Sequence, residues 1–297
     1  IHSNSSDEYG GAIYLDNAQL TVRQRKENCW ENSHCNHFTS NVVKGTASFK
    51  GMNPHGGAIY IKNAMAEVQH AVFEDNIAKH GAAIAVHNVT PSPAHAPAQL
   101  RLFSSMLTAN GNDNTESIFE SHGHASFLVS HTTIADNIFS DTPHSTFDLV
   151  GADVDNNPDF TFESSIVNNL GINVLRHSFD DSNFEVDIKC IITNETASMT
   201  SSNDLTNLAE NEPGGAYISL DNPGFLDSTN GDYHLANDSP AIDYCNQPSS
   251  PEYKDIDYQT RGIDDPNTAD LSAGSFYDIG ADESYAHDII FVHGFEG

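Results

Sequence analysis

The chain is short of positive charge. It carries 12 Lys and Arg against 42 Asp and Glu, a formal net charge of −30. Such a field repels nucleic acid and anionic membrane, and it disfavours a polyanionic ligand unless cations mediate. Long apolar runs are also missing, and none approaches the roughly 18 residues of a membrane span, so insertion of this chain into a membrane is not expected. Tryptophan occurs once and hydrophobic residues make up 38%. That is lean for a compact α/β enzyme but sufficient for a repeat array that buries a thin inner stack. No helix-period segment stands out. Phosphate loops, nucleophile elbows and C-x-x-C pairs are lacking as well, which removes the corresponding enzyme, zinc-ribbon and thioredoxin-like classes.

What is present repeats. Gly10-Gly11-Ala12-Ile13-Tyr14-Leu15 returns as Gly56-Gly57-Ala58-Ile59-Tyr60-Ile61 and, more loosely, as Gly81-Ala82-Ala83-Ile84-Ala85-Val86. A second phrase ends in Asn: Ile1-His2-Ser3-Asn4, Phe38-Thr39-Ser40-Asn41, Phe73-Glu74-Asp75-Asn76, then versions closing at Asn110, Asn137 and Asn169. A recurrence of roughly 30 residues means stacked units. In such a stack the first residue of F-x-x-N points inward. The Asn sits at a corner, where its amide bonds a turn and stacks on the next Asn. The small residues allow a tight corner and close backbone approach. Ile-Tyr-Leu should alternate inside, outside, inside, with Ile13, Ile59 and Ile84 stacked. A jelly roll or sandwich of short strands would not explain two phrases recurring in one order. The expected fold is all-β, a right-handed parallel β-helix (a single-stranded solenoid) with a C-terminal capping segment. Coils span 1–208 with insertions near 23–36, 90–98 and 141–159. Last coils and cap occupy 209–285, and a tail occupies 286–297.

The paired phrases resemble the GGA[I/L/V] and F-x-x-N repeats of the polymorphic membrane protein family, bacterial autotransporter adhesins with β-helix passengers. The series Asp221-Asn222-Pro223-Gly224-Phe225, Gly231-Asp232-Tyr233-His234-Leu235, Asp238-Ser239-Pro240-Ala241-Ile242-Asp243, Asp257, Arg261 and Asp278-Ile279-Gly280-Ala281-Asp282-Glu283 is similar to the closing segment of the choice-of-anchor group of secreted right-handed β-helix proteins. Asn222 interrupts the usual D-P pair, and Asp282 replaces an aromatic or small residue. The last residues, Asp288 to Glu296, resemble short I-F-x-x-G-F-E tails on exported proteins of Gram-negative bacteria. These resemblances imply an extracellular or outer-surface location. They also imply a structural, adhesin-like or surface-layer role towards glycans or a host surface. The closing series is expected to wrap over the solenoid end, with Arg261 pairing with a nearby carboxylate.

Candidate chemistry is sparse. The competing class is a calcium-assisted polysaccharide lyase or glycoside hydrolase. The polygalacturonase pattern would need G-H-G and R-I-K, and the chain offers Ser121-His122-Gly123-His124 and no R-I-K. Arg101 and Arg176 are the isolated bases. Asp148, Asp153, Asp155 and Asp159 form the candidate calcium cluster, because carboxylates at alternate positions can converge on a hard cation; a solvated acidic loop is the bland alternative. Asp255, Asp257, Asp264 and Asp265 form a second cluster. His34 with His37, and His122 with His124, are close pairs that could share a strand face. Four cysteines in an exported chain suggest two disulfides. Of three connectivities, Cys29–Cys35 with Cys190–Cys245 is preferred. The chain begins at Ile1 in the middle of a coil, so an earlier portion, a second molecule stacked head to tail or a local loop is expected to cover that end.

Overall fold

The computed structural model describes residues 1–23, 36–45, 54–88, 98–140, 144–151, 159–177, 185–194, 217–246, 254–266, 268 and 276–284. Cys29, Cys35, most of the three expected insertions and the tail lie outside these. The described chain is all-β, and its main sheets are parallel. Strands Ile13–Asp16, Ile59–Lys62, Ile84–His87, Ser117–His122, Ser145–Val150 and Asn173–His177 form a six-stranded sheet. A nine-stranded sheet runs through Gln19–Val22, Met65–Gln69, Ala98–Thr108, Ala125–Ala135, Asp159–Asn168, Glu185–Thr193 and Tyr217–Ser219, with Asn36–Thr39 and Ala71–Glu74 alongside. Each strand pairs with its counterpart in the next repeat.

The repeats explain the register. Ile13 pairs with Ile59 and Ile59 with Ile84, as the sequence led us to expect. Phe119, Phe147 and Leu175 continue the same ladder. Ile59 and Ile84 are fully buried, whereas Ile13, at the sheet edge, is half-buried. Phe38 stacks on Phe73, and Phe119 on Phe147, with ring centroids 4.7 Å apart in both pairs. Each fully buried ring contributes roughly 2–3 kcal/mol. The glycine pair is required by contact as well as by conformation. Gly56 has φ +69°, and a Cβ on Gly57 would lie 2.0 Å from the Ala82 carbonyl oxygen.

The asparagines form one continuous ladder. Each Nδ2 donates to the Oδ1 of the next, from Asn4 through Asn41, Asn76, Asn110 and Asn137 to Asn169. Side-chain amides thereby satisfy backbone groups at a buried corner that has no strand partner of its own.

The C-terminal segment departs from expectation: its described part lies along the side of the array. His70, between the Met65–Gln69 and Ala71–Glu74 strands, and Ser104, His131, Ser164 and Cys190, inside the longer strands, all adopt positive φ, between 42° and 55°, and so mark a second corner. Beyond it the outward ladder reads Val72, Met106, Thr133, Ile166 and Ile192. This stripe is mostly apolar and has to be covered. Tyr233, Ile256 and Ala281 pack on Val72 and Met106, while Leu235, Ala241, Ile242 and Ile279 pack on Ile166 and Ile192. The Cys190–Cys245 disulfide, the expected pairing, fastens the segment to that corner. The Lys254 carbonyl accepts from Ser104 Oγ at 2.7 Å, and the Gly280 N–H donates to the Ser164 carbonyl at 2.9 Å. Arg261 pairs with Glu283, also as expected.

This covering leaves a pH signature. His70 is buried against Tyr258, near Lys254 and Arg261, and burial pushes its pKa from 6.5 down to about 4. The unfolded chain therefore takes up the proton first, and stability falls as the pH drops from about 6.5 towards 4. Urea denaturation should show that His70→Asn, which suits the positive φ, removes about 2 kcal/mol of the stability lost between pH 7 and pH 5. Equal losses in parent and variant would show that His70 is not the group responsible.

Candidate metal centre

The outer face of the six-stranded sheet is where alternation fails. Tyr14 is 48% exposed, but Tyr60, its partner one repeat on, is 3% exposed. Tyr9, Tyr14, His55 and His87 surround the Tyr60 ring, with centroids 4.5–6.4 Å away. The outward ladder continues from Tyr60 to Ala85, Glu120, Asp148 and Arg176. Ala85 is the short member. Its methyl leaves room over the sheet, and imidazoles from flanking positions occupy it.

His55 comes from the turn before the Gly56-Gly57 corner, and His87 from the end of the Ile84–His87 strand. His55 Nδ1 lies 2.5 Å and His87 Nε2 2.9 Å from the same Glu120 oxygen, Oε2. Three ligand-type atoms from three successive repeats thus lie within 4.8 Å of one another. The other nitrogen of His87, Nδ1, faces the Tyr60 hydroxyl at 3.0 Å. All three residues are largely withdrawn from solvent; their side chains are 14%, 8% and 6% exposed. Burial opposes ionisation of Glu120, but the two imidazoles, His87 foremost, outweigh it and hold the carboxyl below its ordinary range. His80 stacks on His55 at 5.2 Å, and burial lowers its pKa. His122 flanks His87 at 5.5 Å, with a pKa lowered by burial and then by His87. On the rim, Lys79 pairs with Glu116 at 3.0 Å, and Arg176 forks onto Asp148.

The residues singled out from sequence are distributed differently. Asp148 is held by Arg176 across paired strands. Asp159 sits on the other sheet, 3.9 Å from His124. Asp153 and Asp155 lie outside the described residues, as does His34. His122 and His124 do not act as a pair, since one flanks His87 and the other faces Asp159. Arg101 is bound to Glu67, away from the centre. Of the second acidic cluster, only Asp257 joins a convergent group, with His234 and Asp282. A usable signal was present for the centre itself. Tyr9, His55 and His80 each precede the glycine of the GGA-type phrase, and bridges align all three. The convergence runs across repeats, whereas close spacing within one strand had drawn attention to the wrong histidines.

Comparison of the chain with family models, with curated proteins and with solved structures returns no match.

Proposed function

We propose that the chain is an extracellular right-handed parallel β-helix that binds a divalent transition-metal ion through His55, His87 and Glu120. The helical reading is supported by parallel pairing of each strand with its successor repeat, and its hand by the strong preference of parallel crossovers for the right-handed sense. The convergence of three ligand atoms within 4.8 Å carries the metal assignment. Two imidazoles with one carboxylate suit zinc-class ions, whereas calcium takes oxygen ligands. With metal bound, His87 Nε2 and His55 Nδ1 would offer lone pairs. His87 Nδ1–H would then donate to Tyr60, the outer contact that fixes ring orientation.

The wider role we propose is that of a structural, adhesin-like surface scaffold towards glycans or a host surface. It rests on the resemblance of the repeats and on the regular stacking. The ion would pin three adjacent repeats together. Zinc content measured after desalting should fall by one equivalent per chain when His87→Ala and Glu120→Gln are combined. Saturating zinc at 100 times its Kd should stabilise the parent by about 2.7 kcal/mol more than a site without affinity. Equal zinc content in parent and variant would overturn the assignment. Zinc-dependent product formation from an acidic or neutral glycan would favour the glycan-cleaving class over the scaffold.

A further inference from the structure

We propose that a second divalent metal ion, independent of the first, binds between His234, Asp257 and Asp282 and staples the C-terminal segment onto the side of the array. The three residues come from separate stretches: the Asp232–Leu235 strand, the turn at 255–258, and the stretch after Gly280. Their ligand atoms lie within 4.8 Å of one another. The segment that holds them has little regular structure of its own, only the antiparallel pair Phe225–Asp227 and Asp232–Leu235 among its described strands.

The orientation of the imidazole supports an ion. His234 Nδ1 lies 2.5 Å from Asp232 Oδ1, and Nε2 lies 2.8 Å from Asp257 Oδ2. Without an ion both ring N–H groups donate to these carboxylates, and the hydrogen bond to Asp257 foremost pushes the His234 pKa up to about 10. With an ion bound, Nδ1–H would still donate to Asp232 and Nε2 would offer its lone pair to the metal, the carboxylate–histidine–metal arrangement. Asp282 is 6% exposed, and its Oδ2 accepts the Leu235 N–H at 2.8 Å. A further buried carboxylate adds its charge. Asp255 is fully buried, and its charge acts on Asp282. One of its oxygens accepts the Gln259 N–H at 2.6 Å, while the other, Oδ2, has no hydrogen-bond partner. Three carboxylates, of Asp232, Asp257 and Asp282, therefore act on the imidazole, with Asp255 behind Asp282. The guanidinium of Arg261 is directed at Glu283 and at the carbonyls of residues 280–282. Buried carboxylates in excess are stabilised when a cation coordinates them. One imidazole with two carboxylates suits zinc or manganese over calcium.

The test uses the full chain in the His87→Ala, Glu120→Gln background, which removes the first centre. Zinc chloride is titrated and bound metal counted after desalting. One equivalent should remain, and adding Asp257→Asn, a near-isosteric change at a partly exposed position, should weaken its binding at least tenfold. Zinc should also slow protease cleavage between residues 221 and 284, and this protection should vanish with Asp257→Asn. His234→Gln provides a second variant if circular dichroism shows the first to be unfolded. No bound zinc in this background, or binding unchanged by Asp257→Asn, would mean that His234 bridges its carboxylates as an ion pair only, and the proposal would fall. Failure of the first centre reads differently: parent and His87→Ala, Glu120→Gln chains would bind equal zinc, and Asp257→Asn alone would lower it.

Discussion

Replacing Arg261 by methionine is expected to cost about 3–5 kcal/mol and to loosen the C-terminal segment from the array. Arg261 and Glu283 are both 0% exposed in their side chains, with Nη1 and Oε2 3.5 Å apart. The guanidinium also donates to the carbonyls of Lys254 at 3.3 Å, Asp282 at 3.3 Å and Gly280 at 3.0 Å, and to that of Ala281. Methionine fills much of the volume but leaves these acceptors and a buried carboxyl without their cation. Burial already pushes Glu283 up to about 7 against the pull of Arg261. The penalty arises from the orphaned partner, so Arg261→Met combined with Glu283→Gln should recover part of it. Urea denaturation of the two variants measures this. A loss below about 1 kcal/mol for Arg261→Met would contradict the buried-pair account.

Asn110→Ala is expected to cost about 4 kcal/mol, from several buried hydrogen bonds lost and their partners left unsatisfied. The two hydrogens on its Nδ2 are shared among the carbonyls of Phe73 at 2.9 Å and Thr108 at 3.1 Å and Asn137 Oδ1 at 3.1 Å. Its Oδ1 accepts from Asn76 N at 3.1 Å and Nδ2 at 2.9 Å. Alanine supplies none of these, and water has little access to the corner. The effect should be smaller at Asn4, which is exposed and ends the ladder. Equal losses at Asn4 and Asn110 would show that the ladder does not act as a buried network.

The stacking was legible because its signals are local and repeat in the sequence. Gly56-Gly57, Ile59 and Asn76 each do in one repeat what their counterparts do in the next, so register could be read by aligning phrases. The side cover was not legible. Val72, Met106, Ile166 and Ile192 look like ordinary alternation until the second corner turns them outward. The closing segment, rich in Asp and Pro, carries no mark of the surface it covers. Asp148 was misplaced for a related reason: carboxylates along one stretch suggested convergence, but strand pairing set Arg176 opposite it. His55, His87 and Glu120 were passed over because 65 residues separate His55 from Glu120. Pairing of successive repeats, together with the small Ala85, brings them to one point.

The outer face of the six-stranded sheet is proposed to hold a transition-metal ion. Anomalous diffraction at the zinc edge, from crystals of the full chain soaked in zinc, tests it most directly. A peak is expected about 2.0–2.2 Å from His55 Nδ1, His87 Nε2 and a Glu120 oxygen. Zinc-saturated crystals with no peak there, and with both imidazoles still bonded to Glu120, would contradict the claim.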